Sequence, residues 1–260
     1  MTGAPFPLLA FDTSAAHCAA ALVTPRGLFQ RYEQMQKGQA ERLMPLLEDL
    51  LDEAAISWPQ LAALAVGIGP GNFTGVRIAV AAARGLALGL RLPLAGISTF
   101  ELMRDPASPE AHSAELVSLA APRGEAFVQP FRFGDAQAAP MLIDPANPPA
   151  WLAMPGRMRI TGHRADEIAP RFAAEAAPGE LADIPARLIR VASWKFATGR
   201  QSLTAGVNRP APLYAKPPDA APPSDPPPVI LDAPPDQSPD QSPDRTPPSD
   251  ERHPDKRNEA

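Results

Sequence analysis

The sequence predicts an α/β fold in which mixed β-sheets are covered by helices. Three observations support this prediction. The chain opens with three consecutive strand-like runs, the next segments alternate between helical and strand periodicity, and a glycine-rich turn joins one buried strand to a long helix. Three meandering strands followed by alternating helices and strands make a sheet with both antiparallel and parallel pairs.

The predicted first sheet begins with a meander. Pro7–Asp12 and Cys18–Val23 are short apolar runs that suit buried strands, and Leu28–Glu33 is the third strand. The turn residues Thr24–Gly27 separate the second run from the third, which predicts a hairpin.

A helix follows the meander. From Glu41 onward, leucines recur with helical spacing while acidic residues fall on the other faces. Because a helix tolerates proline only in its first turn, Pro45 predicts a helix start near Ala40–Arg42.

The next segments complete the first half of the chain. Leu61–Ile68 is a buried strand, and the glycine-rich turn after it breaks the run. Asn72 or Thr74 caps a second helix that reaches about Leu90. Pro93–Ile97 is the closing strand.

The second half has weaker patterns. Glu115–Ala120 and Glu125–Phe133 have the pattern of paired strands around the turn Pro122–Gly124. Arg157–Thr161 is a further strand-like run, and Leu181–Phe196 has helical spacing. Together these elements predict a reduced second lobe.

The element order of the first half is that of the ribonuclease H-like half-domain found in actin-like and sugar-kinase-like ATPases. This is an analogy between folds, and a fold does not settle function. The predicted elements divide the chain into an N-terminal ribonuclease H-like lobe (residues 1–104), a smaller C-terminal lobe (105–216) and a tail (217–260).

The acidity of the chain belongs to the tail. Residues 217–260 contain fourteen of the 35 prolines, no aromatic residue, ten acids and four bases, for a net charge of −6. The whole chain is −5, so residues 1–216 are about +1. The tail composition predicts disorder. Because residues 1–216 are nearly neutral, their charge excludes a basic nucleic-acid-binding domain.

Several function classes are excluded or disfavoured by composition. A single cysteine, Cys18, excludes an intrachain disulfide framework and a Cys-rich zinc site. No uninterrupted run approaches 18 apolar residues and no basic region precedes the first apolar run, so we expect a cytoplasmic chain without a membrane span. No two histidines are spaced i, i+4, and each is interpreted as a surface or turn residue: His17, His112, His163 and His253.

A polar turn ends the first strand at Asp12-Thr13-Ser14. In the actin-like architecture this place faces the nucleotide phosphates, and a carboxylate there suits a hydrated magnesium ion. The other interpretation is a turn stabilised by its own side chains. Three residues alone favour the second interpretation.

The glycine-rich stretch Gly67–Arg77 is the strongest local signal. Glycines between a strand and a helix let the backbone approach an anion at the helix N-terminus. No Gly-Lys-[Ser/Thr] follows, so the stretch is not a P-loop, and it lacks the Gly-x-Gly-x-x-Gly spacing of the dinucleotide fingerprint. A tight strand-to-helix turn with Thr74 as cap is the alternative, and both can hold together. No Gly-x-Ser-x-Gly elbow supports a serine hydrolase.

Several short motifs, taken together, match those of a known protein family. The chain resembles the TsaB (YeaZ) family over about residues 7–216, most densely over 8–104. The matching segments are Leu9-Ala10-Phe11-Asp12-Thr13-Ser14, Arg42-Leu43-Met44-Pro45, Gly69-Pro70-Gly71-Asn72-Phe73-Thr74-Gly75-Val76-Arg77, Arg84-Gly85-Leu86-Ala87, Gly96-Ile97-Ser98-Thr99-Phe100 and Pro212-Leu213-Tyr214.

The resemblance implies an actin-like fold and a non-catalytic role in making N6-threonylcarbamoyladenosine next to the anticodon of certain tRNAs. It implies pairing with a TsaD-like catalytic subunit, which holds the metal, and work with a TsaE-like ATPase. Contact with tRNA would occur through the complex only. The alternatives are a stand-alone actin-like ATPase or phosphotransferase and, ranked third, a metal-dependent protease.

The resemblance and the sequence patterns give two sets of site residues, with no catalytic residue and no metal ligand. The loops that would face a nucleotide or phosphate are Asp12, Thr13, Ser14, Gly69, Gly71 and Thr74. The resemblance places subunit pairing on the first two long helices, at Leu43, Leu47, Leu50, Leu51, Ala79, Ala83 and Leu86. Periodicity alone leaves open whether these residues pack on a partner or on the chain's own sheet. No cofactor is expected, and binding of ATP or ADP and homodimerisation of the isolated chain both stay open.

Three departures from the family pattern stand out. Asn72 replaces a serine in the glycine-rich motif, and it still suits a helix cap. Gln39 stands where a histidine is usual, and Ala121-Pro122-Arg123 keeps only the arginine of an Asp-Ala-Arg segment. The proline-rich tail has no counterpart in the family pattern.

Overall fold

The computed structural model describes residues 4–104 and 112–215. The predicted tail, residues 217–260, lies outside the described residues, so its predicted disorder stays a prediction. The elements described below all belong to one compact unit.

The first sheet has five strands in the spatial order β3-β2-β1-β4-β5. Its strands are β1 (Leu8–Asp12), β2 (His17–Thr24), β3 (Gly27–Gln34), β4 (Ala63–Gly69) and β5 (Leu94–Ser98). β1 pairs with β2 and β2 with β3 in antiparallel fashion, while β1 with β4 and β4 with β5 are parallel pairs. This mixed order is the ribonuclease H-like order that the sequence predicts, so the predicted fold class is confirmed.

Helices cover both faces of this sheet. The long helices α1 (Gln39–Glu53) and α2 (Phe73–Leu90) pack on the face that carries Leu9 and Phe11 of β1. The helix α5 (Ile184–Ala197) packs on the opposite face, which carries Leu8 and Ala10. Successive residues of a strand point to opposite faces, and a sheet covered twice buries both, so all of β1 is buried.

The second sheet has the order β11-β10-β6-β7-β8, with β9 paired to β7. Its strands are β6 (Ala114–Ala120), β7 (Ala126–Arg132), β8 (Asp135–Ala136), β9 (Met141–Ile143), β10 (Met158–Gly162) and β11 (Glu175–Pro178). The predicted hairpin between the strands now labelled β6 and β7 is confirmed, with antiparallel pairing. Two short helices, α3 (Thr99–Met103) and α4 (Ala165–Ile168), also lie within the described residues.

The helix α5 does not follow the predicted division of the chain. It lies in the segment assigned to the smaller lobe, yet Leu188 and Ala192 pack with β1, β2 and β5 of the first sheet. Arg187 of the same helix donates to the carbonyl of Leu102 at 2.8 Å, at the end of α3. The boundary at residue 104 therefore does not enclose the whole core of the first sheet, because a helix that follows this boundary in the sequence covers the sheet's second face.

Pro45 does not lie in the first turn of α1, contrary to the prediction. The helix begins at Gln39, after Gly38 in a left-handed conformation, and Pro45 lies inside it. Proline removes the N–H that would bond the carbonyl of Glu41 four residues earlier. Both Pro45 and Glu41 are exposed, so water can serve that carbonyl.

The helix α2 is long and apolar enough to cross a membrane by length and composition, although no uninterrupted apolar run in the sequence suggests it. In the structure its inner face packs on the first sheet through Val76, Ala79 and Ala83. A helix that covers a sheet in a folded core passes the same test, so this finding is weak evidence for a membrane span.

Candidate functional site

The polar turn after β1 is closed around the carboxylate of Asp12. One oxygen, Oδ1, accepts a hydrogen bond from the backbone N–H of Ser14 at 2.6 Å and lies 2.9 Å from Nε2 of His17. The other oxygen, Oδ2, is buried without a hydrogen-bond partner among the described residues. The side chains of Asp12 and His17 are both buried, so the prediction that His17 is a surface or turn residue is wrong. Its ring stabilises the turn and packs near the ring of Tyr32.

The glycine-rich loop joins β4 to α2. Gly69 has a φ of 81°, which L side chains rarely adopt, and the bond between Gly69 and Pro70 is cis. Asn72 is the N-cap of α2, and its Oδ1 accepts hydrogen bonds from the backbone N–H groups of Thr74 and Gly75 at 3.0 and 3.1 Å. The predicted capping by Asn72 is confirmed, so the departure from serine keeps the local function.

The polar turn and the glycine-rich loop contact each other directly. The backbone N–H of Asn72 donates to the carbonyl of Ser14 at 2.5 Å, and Oγ1 of Thr13 donates to the carbonyl of Gly75 at 2.7 Å. A Cβ added at Gly71 or at Gly75 would lie closer than 3.0 Å to a backbone carbonyl of the turn. The structure therefore packs the polar turn directly against the glycine-rich loop, with Thr13 and Ser14 hydrogen-bonded to the loop backbone.

Gly67 explains how the carboxylate of Asp12 fits into the sheet. A Cβ at this position would overlap the carboxylate, so only glycine leaves room for it beside β4. The carboxylate thus points toward the neighbouring strand, where Oδ2 is buried. The arrangement supports Asp12 as a structural group of the turn.

A C-terminal strap, defined here as residues 208–215, holds the glycine-rich loop from the other side. The backbone N–H of Leu213 donates to the carbonyl of Ile68 at 2.8 Å. The guanidinium of Arg77 lies 3.6 Å from the ring centroid of Phe73, and its Nε donates to the hydroxyl of Tyr214 at 2.9 Å. Sequence reasoning found these residues only through the family resemblance, because their contact joins positions 137 residues apart.

The predicted partner interface needs correction. Six of its seven side chains are at most 3% exposed and form the core between α1, α2 and the first sheet: Leu43, Leu47, Leu50, Leu51, Ala79 and Ala83. They cannot also form a surface for a partner. The apolar spacing that suggested a partner is the spacing needed to pack on the sheet, and only Leu86 is partly exposed.

The outer faces of the two helices have different chemistry. On α1 the exposed residues include the acids Glu48, Asp49 and Asp52. On α2 they include the small residue Ala81 and Leu88, whose side chain is 82% exposed. If these helices carry a partner, these outer faces must be the contact.

The described residues offer no further metal site and no activated thiol. Among the described residues, no group of three His, Cys, Asp or Glu side chains could hold a metal ion. Burial raises the pKa of the Cys18 thiol to about 11, so the nucleophilic thiolate is scarce. Arg123 of the second lobe is exposed with a φ of 60°. Gln39 is buried and donates to the carbonyl of Met35 at 3.2 Å.

Comparison with known proteins agrees with this architecture. The family model described as "TsaD: tRNA N6-adenosine threonylcarbamoyltransferase" matches residues 32–131. The tRNA threonylcarbamoyladenosine biosynthesis protein TsaB of Escherichia coli is 40% identical over 96 residues, which cover 37% of this chain and 42% of that protein. TsaB of Haemophilus influenzae is 39% identical over 110 residues, which cover 42% of this chain and 46% of that protein.

The solved structures extend the match beyond the first lobe. YeaZ from Pseudomonas aeruginosa has a TM-score of 0.58 and 27% identity, with 75% of this chain and 94% of that chain covered. The chain is thus similar to TsaB (YeaZ) proteins in sequence and in fold. A further structure, of an uncharacterized protein with similarity to peptidase YeaZ from Pseudomonas aeruginosa, gives a TM-score of 0.61 at 26% identity and covers 99% of that chain. The chain spans less than half the length of these two curated TsaB relatives.

Proposed function

We propose that the chain is a non-catalytic subunit in the synthesis of N6-threonylcarbamoyladenosine in tRNA. It pairs with a TsaD-like catalytic subunit and activates it in the cytoplasm, with a TsaE-like ATPase as a further partner. Contact with tRNA occurs only through the complex. Similarity to proteins named for threonylcarbamoyladenosine biosynthesis supports the pathway.

The observation that carries the non-catalytic role is the packing of the two loops. An actin-like ATPase needs space between the first turn and the glycine-rich loop for phosphates and a metal. Here Thr13 and Ser14 bond directly to the backbone of Gly75 and Asn72, and Asp12 is buried with His17. Phosphate binding at this point would require these hydrogen bonds to break.

The pairing surface in this proposal is the outer face of α1 and α2. The inner faces are committed to the sheet, and the exposed stripe of α2 around Ala81 allows another helix to approach closely. A buried unpaired charge at the centre of such a contact is strongly unfavourable. We therefore expect Ala81→Glu to abolish co-elution with the TsaD-like subunit of the same organism in size-exclusion chromatography.

Ala139→Glu is the matched control, since Ala139 is exposed in the second lobe, away from these helices. It should co-elute with the partner as the unchanged chain does. Circular dichroism checks that both variants fold. Normal co-elution of folded Ala81→Glu would contradict the proposed pairing surface.

An assay of the isolated chain distinguishes the proposed non-catalytic role from that of a stand-alone ATPase. The proposal expects no sustained magnesium-dependent turnover of ATP. Turnover that is lost in a folded Asp12→Asn variant would favour the ATPase instead.

A further inference from the structure

An open cavity of about 650 Å³ lies between the C-terminal half of α2 and residues 205–209, which include the start of the C-terminal strap. Leu88, Leu92 and Leu94 supply its apolar lining. The side chain of Leu88 is 82% exposed, the highest fraction among the large exposed apolar residues described. An exposed apolar side chain beside a concave apolar wall is typical of an interaction site.

Positive charge surrounds this cavity. Arg84, Arg91 and Arg209 line it, and all three are exposed. Their side chains have no hydrogen bond or ion pair within the parts of the chain that the structure describes, and no Asp or Glu lines the cavity. Arg42 provides the contrast, because it pairs with Glu33 at 2.7 Å. The three guanidiniums at the cavity are therefore available to an anionic partner.

We propose that this groove binds an acidic amphipathic segment of a partner protein. The apolar side chains of the segment cover Leu88, and its carboxylates pair with the three arginines. Guanidinium groups suit carboxylates because they donate two parallel hydrogen bonds. An amphipathic helix in an apolar groove is a recurrent mode of peptide recognition.

Charge and apolar surface together favour a protein over RNA. Phosphates would pair with the arginines, but a phosphate backbone brings no apolar surface to cover Leu88. An acidic amphipathic segment satisfies both halves of the groove. Leu88 belongs both to this groove and to the outer face of α2 proposed above for pairing, so the inference shares this side chain with the proposed function. The peptide probes below contain no TsaD-like subunit and therefore test the groove separately from that pairing.

The test is fluorescence anisotropy on the full chain with three defined probes. The first is a short labelled peptide with leucines on one helical face and glutamates elsewhere. The second replaces every glutamate by glutamine, and the third is a single-stranded oligouridylate. The variants are Arg84→Gln, Arg91→Gln, Arg209→Gln and Leu88→Gln, with Arg171→Gln as the control at an exposed arginine outside the groove.

We expect saturable binding of the glutamate peptide and weaker binding of the glutamine peptide. Each arginine substitution in the groove should weaken the glutamate peptide about two- to fivefold, as for an exposed ion pair. Leu88→Gln should also weaken it, while Arg171→Gln should not. Circular dichroism checks that each variant is folded. Equal affinity for the two peptides, no saturable binding, or oligouridylate binding that needs the arginines but not Leu88 would each overturn the proposal.

Discussion

The contact between the polar turn and the glycine-rich loop makes a sharp prediction about Gly75. A Cβ at this position would lie closer than 3.0 Å to the backbone carbonyl of Thr13, which cannot rotate away as a flexible side chain could. Gly75→Ala must therefore push the loop and the turn apart. The hydrogen bond from Oγ1 of Thr13 to the carbonyl of Gly75, now 2.7 Å long, would lengthen or break.

The size of the effect follows from three contributions to the free energy of unfolding. Overpacking costs about 1–3 kcal/mol. Loss of the hydrogen bond costs about 1 kcal/mol more. Alanine in place of glycine within a helix returns about 1 kcal/mol. The net expectation is a loss of about 2 kcal/mol, which lowers Tm by about 4–8 °C in a domain of this size.

Gly85→Ala on the same helix is the matched control. A Cβ there meets nothing within 4 Å, so only the helix propensity changes, and stability should rise by up to about 1 kcal/mol. Urea unfolding followed by circular dichroism measures both variants. If Gly75→Ala is as stable as Gly85→Ala, the two loops are not in tight contact and the argument against a phosphate site between them fails.

Three further predictions concern the core and its ionisable groups. Leu47→Glu should unfold the chain rather than only block pairing, because Leu47 is fully buried in the chain's own core; a cooperative unfolding transition near the unchanged Tm would contradict this. Cys18 should resist alkylation at pH 8 in the native chain and react after denaturation, because burial raises its pKa to about 11; mass spectrometry reads the outcome, and rapid native labelling would refute it. The hydrogen bond from Arg42 holds the pKa of the Glu33 carboxyl below its ordinary value of 4.5, so the pair stabilises the folded chain above that pH and this stabilisation is lost as the pH falls through the lower pKa of the folded state. Arg42→Gln should therefore reduce the decrease in the free energy of unfolding that urea unfolding measures on going to acid pH. The same decrease in Arg42→Gln and in the unchanged chain would contradict this contribution of the pair.

The sequence allowed most of the first sheet to be predicted, because its signals are local. Strand runs such as Cys18–Val23 differ from the observed β2 by one residue at each end. The cap at Asn72 was also predictable, since capping depends on a short polar side chain next to a helical pattern. Both features depend on residues that are close together in the sequence, and tertiary packing does not change them.

The missed features depend on contacts between distant positions. The burial of His17 follows from the pairing of β1 with β2 and from the carboxylate of Asp12, and a lone histidine gives no sign of this in sequence. The place of α5 on the first sheet is likewise a tertiary fact. The short strand β11 has only four residues and no clear alternation, so periodicity could not detect it.

The interface error has a general physical cause. An amphipathic stripe shows that a helix face is buried, but not what buries it. Leu47 and Ala83 are buried by the chain's own sheet, and the exposed side of α2 is visible only in the structure. Leu88 looks like another core leucine in the sequence, although it is 82% exposed.

The most direct test of the proposed role is the rate at which the TsaD-like and TsaE-like subunits of the same organism form N6-threonylcarbamoyladenosine in tRNA, with and without this chain. The reaction also contains an activated donor of the threonylcarbamoyl group, and mass spectrometry of digested tRNA measures the product. The proposal predicts that product forms only when the chain is present, and that the chain alone forms none. Equal product formation without the chain would contradict an activating role, and product formed by the chain alone would contradict a non-catalytic one.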